Sequence, residues 1–317
     1  MDLLTPTLPL MRALHVGALQ QVALLFSALG SEPFYLLLLP LFYWLYDRKI
    51  GARLGILLLI SVLVNDLFKI GLHLPRPYQV DAALMPFSPL ALEKSFGFPS
   101  GHAQGAFMVW PFLALRTNNK SKWLILAYIL AFCITLSRLI LGVHWPLDVV
   151  GGALIGTTIL WSYERYGDFM ERSFRGQALI NQAIFAVVFS AVCWVVGSLL
   201  IADAVRDVGP TTEALVKAPA DLIGRCAALL GLVFGLMFAP HDVLAGGTVA
   251  QKAGRVIVGL IGVAIFYVGL KMAPQHFLVG FVRYFLTTFW VTCASLWVFR
   301  AMGLGGGKAQ PQILAAE

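Results

Sequence analysis

The sequence predicts an all-α fold, a polytopic bundle of about nine membrane-spanning helices. Three observations carry that expectation. Of 317 residues, 59% are hydrophobic and only 12% are charged, with a mean hydropathy of +0.81. A soluble domain carries roughly 25% charged residues, and so sparse a set could not cover a water-exposed surface. The apolar residues run in blocks long enough for a helix to cross hydrocarbon, bounded by charges, glycine or proline. The basic residues collect in short links between the blocks, which is a topology pattern and not a nucleic-acid-binding face. The formal charge of +7 therefore implies no nucleic-acid partner.

Residues 1–30 read as an amphipathic or interfacial helix, with no basic segment ahead of an apolar core and hence no cleavable leader expected. Glu32–Asp47 is a short first span, and Ala52–His73 the second, halted by Pro75 and Pro77. A polar, proline-rich loop covers Leu74–Gly101. His102–Leu115, Lys122–Val143 and Leu147–Tyr163 are the third to fifth spans, and a charged stretch, Glu164–Gly176, follows. Leu179–Ile201, Asp221–Phe238, Val256–Met272 and Phe281–Arg300 complete the set. The expected organisation is a core at 1–178, C-terminal membrane helices without an assigned role at 179–302, and a flexible tail at 303–317.

Arg48, Lys49 and Arg53, then Arg116, Lys120 and Lys122, then Arg165, Arg172 and Arg175 fall on one side of this topology. That side is expected to be cytoplasmic. The Leu74–Gly101 loop and the Val143–Leu147 turn then face outward, and His241 and Asp242 fall on the cytoplasmic side. The expected location is the cell (inner) membrane, multi-pass. Gly51 with Gly55, and Gly152 with Gly156, are spaced four apart, as where helix backbones pack closely in lipid. Cys133, Cys193, Cys226 and Cys293 lie inside apolar runs with no CxxC pair, and read as buried packing residues.

Charge inside or beside such spans costs roughly 2.5–3.5 kcal/mol per residue at the helix centre on insertion scales, so the exceptions carry information. Three stretches end at the outer face: "KIGLHLPRP" with Lys69 and Arg76, "FPSGHAQ" with Ser100, Gly101 and His102, and "LSRLILGVHWPLDVVGG" with Arg138, His144 and Asp148. Three cations at one locus suit a polyanion, and guanidinium matches phosphate oxygens pairwise. Ser100 is a candidate N-cap, and the free N–H groups of that turn form an anion cradle to which Gly101 allows close approach. His144 and Asp148 stand four apart, on one helix face. A carboxylate on one ring nitrogen fixes the tautomer and leaves the other free to attack. His102 is then placed to protonate a leaving alkoxide, while the cations stabilise charge on the equatorial oxygens.

The blander readings are interhelical hydrogen bonding for a single membrane histidine and snorkelling for Arg138. Joint spacing on one side of the membrane outweighs them. Asn65 and Asp66 read as structural or tuning residues, with Asp66 able to pair with Lys69. Glu93 and Lys94 sit in the outer loop, where they could line the entrance, with a solvated loop as the default reading.

The ordered set Lys69-x6-Arg76-Pro77, Pro99-Ser100-Gly101-His102 and Ser137-Arg138-x5-His144-x3-Asp148 resembles the three-part signature of the phosphatidic acid phosphatase type 2 superfamily. The resemblance covers about residues 30–165 and implies a six-helix core, if residues 1–30 supply one helix or a substitute. It implies His144 as the nucleophile forming a phosphohistidine, Asp148 as its orienting group and His102 as the general acid. Lys69, Arg76 and Arg138 would bind phosphate, helped by Ser100 and Gly101. It implies no metal and no cofactor.

The function this implies is hydrolysis of a lipid phosphomonoester or pyrophosphate at the extracytoplasmic face. Undecaprenyl pyrophosphate, phosphatidylglycerophosphate, phosphatidate and sphingoid-base phosphates all fit, and a soluble sugar phosphate is a weaker fit. The expected partners are that lipid phosphate and membrane lipids, with a homo-oligomer compatible. The rival is a non-hydrolytic lipid-phosphate binder, carrier or scramblase, motivated by the extra C-terminal spans. The pair of histidines with an orienting carboxylate counts against it, since binding alone needs neither.

Overall fold

The computed structural model describes residues 5–209, 212–240, 246–272 and 277–305. Most of the tail read at 303–317, and the pair His241 and Asp242, lie outside the described residues. Every regular element among the described residues is helical, as the composition requires. The helices are α1 (Leu8–Leu14), α2 (Gly17–Ala28), α3 (Glu32–Leu41), α4 (Arg48–Leu72), a single turn α5 (Pro77–Val80), α6 (Gly101–Ala114) and α7 (Lys120–Ile140). They continue with α8 (Pro146–Arg175), α9 (Leu179–Val208), α10 (Glu213–Phe238), α11 (Val249–Val263), α12 (Phe277–Phe289) and α13 (Ser295–Ala301).

Seven helical stretches are long and apolar enough to cross a membrane: Gly17–Tyr46, Arg48–Val80, Lys120–Ile140, Leu179–Val208, Glu213–Phe238, Val249–Met272 and Phe277–Ala301. The expected third and fifth spans correspond to α6 and α8, which differ from these. α6 has 14 residues, about 21 Å at 1.5 Å each, against a hydrocarbon core of about 30 Å. It has no need of that length, because Ala103, Ala106, Met108, Val109 and Phe112 are buried among other helices. α8 is 30 residues long but mixes glycine, threonine and charge into its apolar run. Residues 5–30 hold two α-helices, α1 and α2, where one amphipathic or interfacial helix is expected, and α2 belongs to the continuous apolar stretch Gly17–Tyr46. The reason lies in packing. Gln20, Ala23 and Ser27, at helical spacing, are the buried face of α2.

The described chain divides into two compact units that interleave along the sequence. The first holds the residues up to Tyr35, Leu57–Ala178 and Val192–Leu222. Its centre is α6, which packs against both α7 and α8, with α2 on α7. The approach of α8 to α6 depends on two glycines. A Cβ on Gly152 would lie 2.4 Å from the Ser100 carbonyl oxygen, and one on Gly156 would lie 2.2 Å from that of Gln104. Backbone cannot yield as a side-chain tip can. Gly156→Ala is therefore expected to lower stability by about 1–3 kcal/mol despite alanine's better helix propensity. Thermal unfolding in detergent tests this; an unchanged or raised Tm would show that the helices part freely.

The second unit holds Leu36–Ile56, Leu179–Ala191 and the chain from Ile223 onward. Tyr43, Trp44, Val263, Cys293, Leu296 and Phe299 form its core. The stretches Phe42–Tyr46 and Trp290–Ala294 are π-helical turns, which leave α-type carbonyl bonding locally unmet. Tyr43 donates its hydroxyl to the Thr292 carbonyl at 2.8 Å, and Trp44 donates its indole N–H to that of Val291 at 3.0 Å. The four cysteines are free; Cys193, Cys226 and Cys293 are buried as expected, whereas Cys133 is only partly buried.

Candidate active site

The site is built within the first unit, from the start of α8 outward. Trp145 is extended, Pro146 opens the helix, and Asp148 falls at its third position. Proline suits that first turn, where its missing N–H is not needed. Asp148 Oδ2 accepts from the Trp145 backbone N–H at 2.9 Å, so the carboxylate caps its own helix. The same oxygen lies 3.2 Å from His144 Nδ1. Both residues are fully buried. One carboxylate thus fixes the helix start and the ring orientation together. With Nδ1 donating to Asp148, Nε2 carries the lone pair, and Arg76 Nη1 donates to it at 3.2 Å. Burial and the Arg76 charge hold the His144 imidazole below its ordinary pKa, with Asp148 and Glu93 opposing them. The ring is neutral at neutral pH, as a nucleophile must be.

The start of α6 is pinned against α8 and α4. Ser100 donates its backbone N–H to the Asp148 carbonyl at 2.9 Å, and its hydroxyl accepts from Ala103 N–H at 3.4 Å. Ser100 is thus the N-cap expected from its position. A Cβ on Gly101 would meet Asn65 Oδ1 at an ordinary 3.4 Å. Asn65 donates to the Pro99 carbonyl and to Gln104 Oε1, and Gln104 donates in turn to Ser61. This buried and connected network supports the structural reading of Asn65. It holds His102, the second residue of α6, at the edge of the site.

The cations enter from two sides. Arg76 is fully buried and ties the loop to the α7–α8 turn: Nε donates to the Ser95 carbonyl at 2.6 Å, Nη2 to that of Phe96 at 3.0 Å and Nη1 to that of Val143 at 2.9 Å. Lys69 Nζ donates to the Phe96 carbonyl at 2.6 Å and lies 3.4 Å from that of Gly97. Arg138, near the end of α7, donates to the Ser27 hydroxyl on α2. The N-terminal helices therefore contribute directly to the site. Arg138 Nε is buried without an acceptor among the described residues, a donor left over for an oxygen.

The structure adds a residue that sequence reasoning set aside. Glu93, expected in a solvated loop, lies among all of these groups. Its Oε1 accepts from Arg138 Nη2 and lies 3.3 Å from His102 Nδ1. Its Oε2 accepts from Arg76 Nη2 at 2.7 Å and lies 3.7 Å from His144 Nε2. Burial pushes its carboxyl pKa up. The charges of Arg76 and Arg138 and hydrogen bonds to both histidines outweigh that and hold it well below the usual carboxylate range. The one available signal was its place, nine residues before His102 in the loop that Arg76 opens. Spacing alone does not report burial. Among the described residues no group of three or more metal-ligating side chains is placed to hold an ion. What converges is a donor set for an anion beside a neutral, oriented imidazole.

Residues 50–169 match the PAP2 superfamily, and residues 223–309 match the PAP2 superfamily phosphatase transmembrane extension. Sphingosine-1-phosphate phosphatase 2 of Mus musculus is 31% identical over 42% of this chain and 38% of its own. Phosphatidylglycerophosphatase B of Bacillus subtilis is 29% identical over 50% of this chain and 73% of its own. Undecaprenyl-diphosphatase of Sulfolobus acidocaldarius is 34% identical over 35% of this chain and 52% of its own. The chain thus spans well under half of the sphingosine-1-phosphate phosphatase it matches. The crystal structure of the Bacillus subtilis transmembrane PAP2-type phosphatidylglycerolphosphate phosphatase aligns with a TM-score of 0.44 at 24% identity, over 53% of this chain and 89% of that one.

Proposed function

This chain carries a PAP2 superfamily domain at residues 50–169, and from that premise we propose that it is a membrane lipid phosphatase. It hydrolyses a lipid phosphomonoester or pyrophosphate at the extracytoplasmic face through a phosphohistidine on His144. The observation that carries this reading is the His144–Asp148 contact of 3.2 Å beside the two buried guanidiniums of Arg76 and Arg138.

In the first step, His144 Nε2 attacks phosphorus in line with the leaving oxygen. The Nε2–P bond forms as the P–O bond to the lipid breaks, and His102 gives its proton to the departing oxygen. Arg76 and Arg138 neutralise the equatorial oxygens as charge spreads over them. In the second step, His102 takes a proton from water, which attacks phosphorus and releases inorganic phosphate and neutral His144. Asp148 stabilises the ring while it carries positive charge. Lys69, through the Phe96 and Gly97 carbonyls, keeps the loop closed over the arginines.

Sphingoid-base phosphates, phosphatidylglycerophosphate, phosphatidate and undecaprenyl pyrophosphate share a phosphate or pyrophosphate at the end of an apolar body. A site at the end of membrane helices suits all of them. The test is phosphate release from this panel by purified protein in detergent with EDTA present. Release from at least one lipid is expected. No release from any, together with lipid transfer between leaflets of reconstituted vesicles, would favour the carrier reading.

A further inference from the structure

We propose that Glu93 is a built-in competitor of the substrate's phosphate: its carboxylate holds the oxyanion position of the resting site and must withdraw before a phosphate can enter. The inference rests on the phosphatase reading of the site. It starts from which atoms touch the carboxylate. Arg76 Nη2 and Arg138 Nη2 each donate to one of its oxygens. His102 Nδ1 lies 3.3 Å from Oε1, and His144 Nε2 lies 3.7 Å from Oε2. These four atoms are the working atoms of the proposed reaction, and both carboxylate oxygens stand where phosphate oxygens would. A carboxylate and a phosphate present the same kind of acceptor to a guanidinium.

The surroundings show that the side chain can leave while the loop stays. The Tyr78 hydroxyl donates to the Glu93 carbonyl at 2.7 Å, which anchors its backbone. Beyond it, Ser95, Phe96 and Gly97 carbonyls are held by Arg76 and Lys69, and Phe96 packs on Ala204 and Leu215. Lys94 is tied to Glu213 at 2.7 Å. The Glu93 side chain is 23% exposed and that of His102 16%, whereas those of Arg76, Arg138, His144 and Asp148 are at most 1% exposed. A rotation of the Glu93 side-chain torsions would uncover both arginines and leave the oxyanion position open. A dianionic phosphate competes for that position better than a single carboxylate, so the substrate can displace Glu93. The released inorganic phosphate meets the same competitor, which favours its departure.

The test is the affinity of the detergent-solubilised full chain for orthovanadate and for inorganic phosphate, in wild type, Glu93→Gln and Glu93→Asp. Glutamine keeps the shape without the charge. Aspartate keeps the counter-charge for the arginines, so it decides the matter if the glutamine variant does not fold. It draws the carboxylate back by one methylene. The proposal expects tighter binding in both, at least tenfold for Glu93→Gln and severalfold for Glu93→Asp. Unchanged or weaker binding in the variants overturns it and makes Glu93 a fixed part of the scaffold. No binding in any form overturns it as well. Phosphate release by wild type from the lipid panel then shows separately whether the phosphatase reading stands.

Discussion

His144→Ala is expected to abolish phosphate release, with kcat falling by about 10⁴-fold or more, as for loss of a nucleophile in other covalent catalysts. The His144 imidazole has its Nε2 lone pair on the side of the anion position, where Arg76 Nη1 now donates to it, and a carboxylate behind it. Guanidiniums cannot attack, and the carboxylate that His102 meets, 3.3 Å from its Nδ1, is that of Glu93, which itself stands in the anion position. The variant should fold, because Asp148 keeps its bond to the Trp145 N–H and so keeps the α8 start. Two readouts check it. Wild-type protein quenched in alkali during turnover of a labelled substrate should retain label on histidine, and the variant should retain none. Full turnover by a folded variant would refute the covalent role.

Asp148→Asn is expected to lower kcat by roughly 10²–10⁴-fold while leaving the fold in place. Asparagine's oxygen can occupy the Oδ2 position and accept from both Trp145 N–H and His144 Nδ1. The amide then falls where Oδ1 now stands, buried and without a partner among the described residues. Geometry survives and the negative charge is lost, so the phosphorylated ring loses its stabilisation. The same change removes one of the groups that raise the His144 pKa. The acid limb of kcat/KM should therefore move to lower pH. A purely structural carboxylate would move Tm and leave that limb where it is, so the pH profile separates the two roles.

Much of the site was legible from local rules. The spacing of His144 and Asp148 points to their pairing on one helix face; α8 begins only at Pro146, so His144 stands in the turn before it and Asp148 reaches back to its ring from the first helical turn. Ser100 ahead of an apolar run reads as an N-cap, and it caps α6. Gly152 and Gly156 mark a close helix contact by their spacing, and backbone oxygens stand 2.4 and 2.2 Å from where their Cβ atoms would be. These features depend on neighbours within one turn, so the order of residues contains them.

Glu93 was not legible, because nothing near it in the chain sets its environment. Its arginines are 17 residues before and 45 residues after it. A glutamate in a polar, proline-rich loop is solvated by default, and only the folding of that loop over α4 and the α7–α8 turn brings it, still 23% exposed, among the arginines and histidines. The contacts of Lys69 with the Phe96 and Gly97 carbonyls, 27 and 28 residues away, were equally beyond the reach of local rules. Nothing near Ser27 in the chain marks it as a partner of Arg138, 111 residues away, whose guanidinium it accepts from.

The sequence by itself determined the helical membrane fold, the motif residues and the helix ends that carry them. Those follow from hydrophobic block length, periodicity and capping, which act over a few residues. Tertiary structure alone decided that the Glu93 carboxylate faces Arg76, Arg138 and the two histidines. The buried guanidiniums need a counter-charge within hydrogen-bonding reach, and only the three-dimensional path of the loop brings the Glu93 carboxylate there.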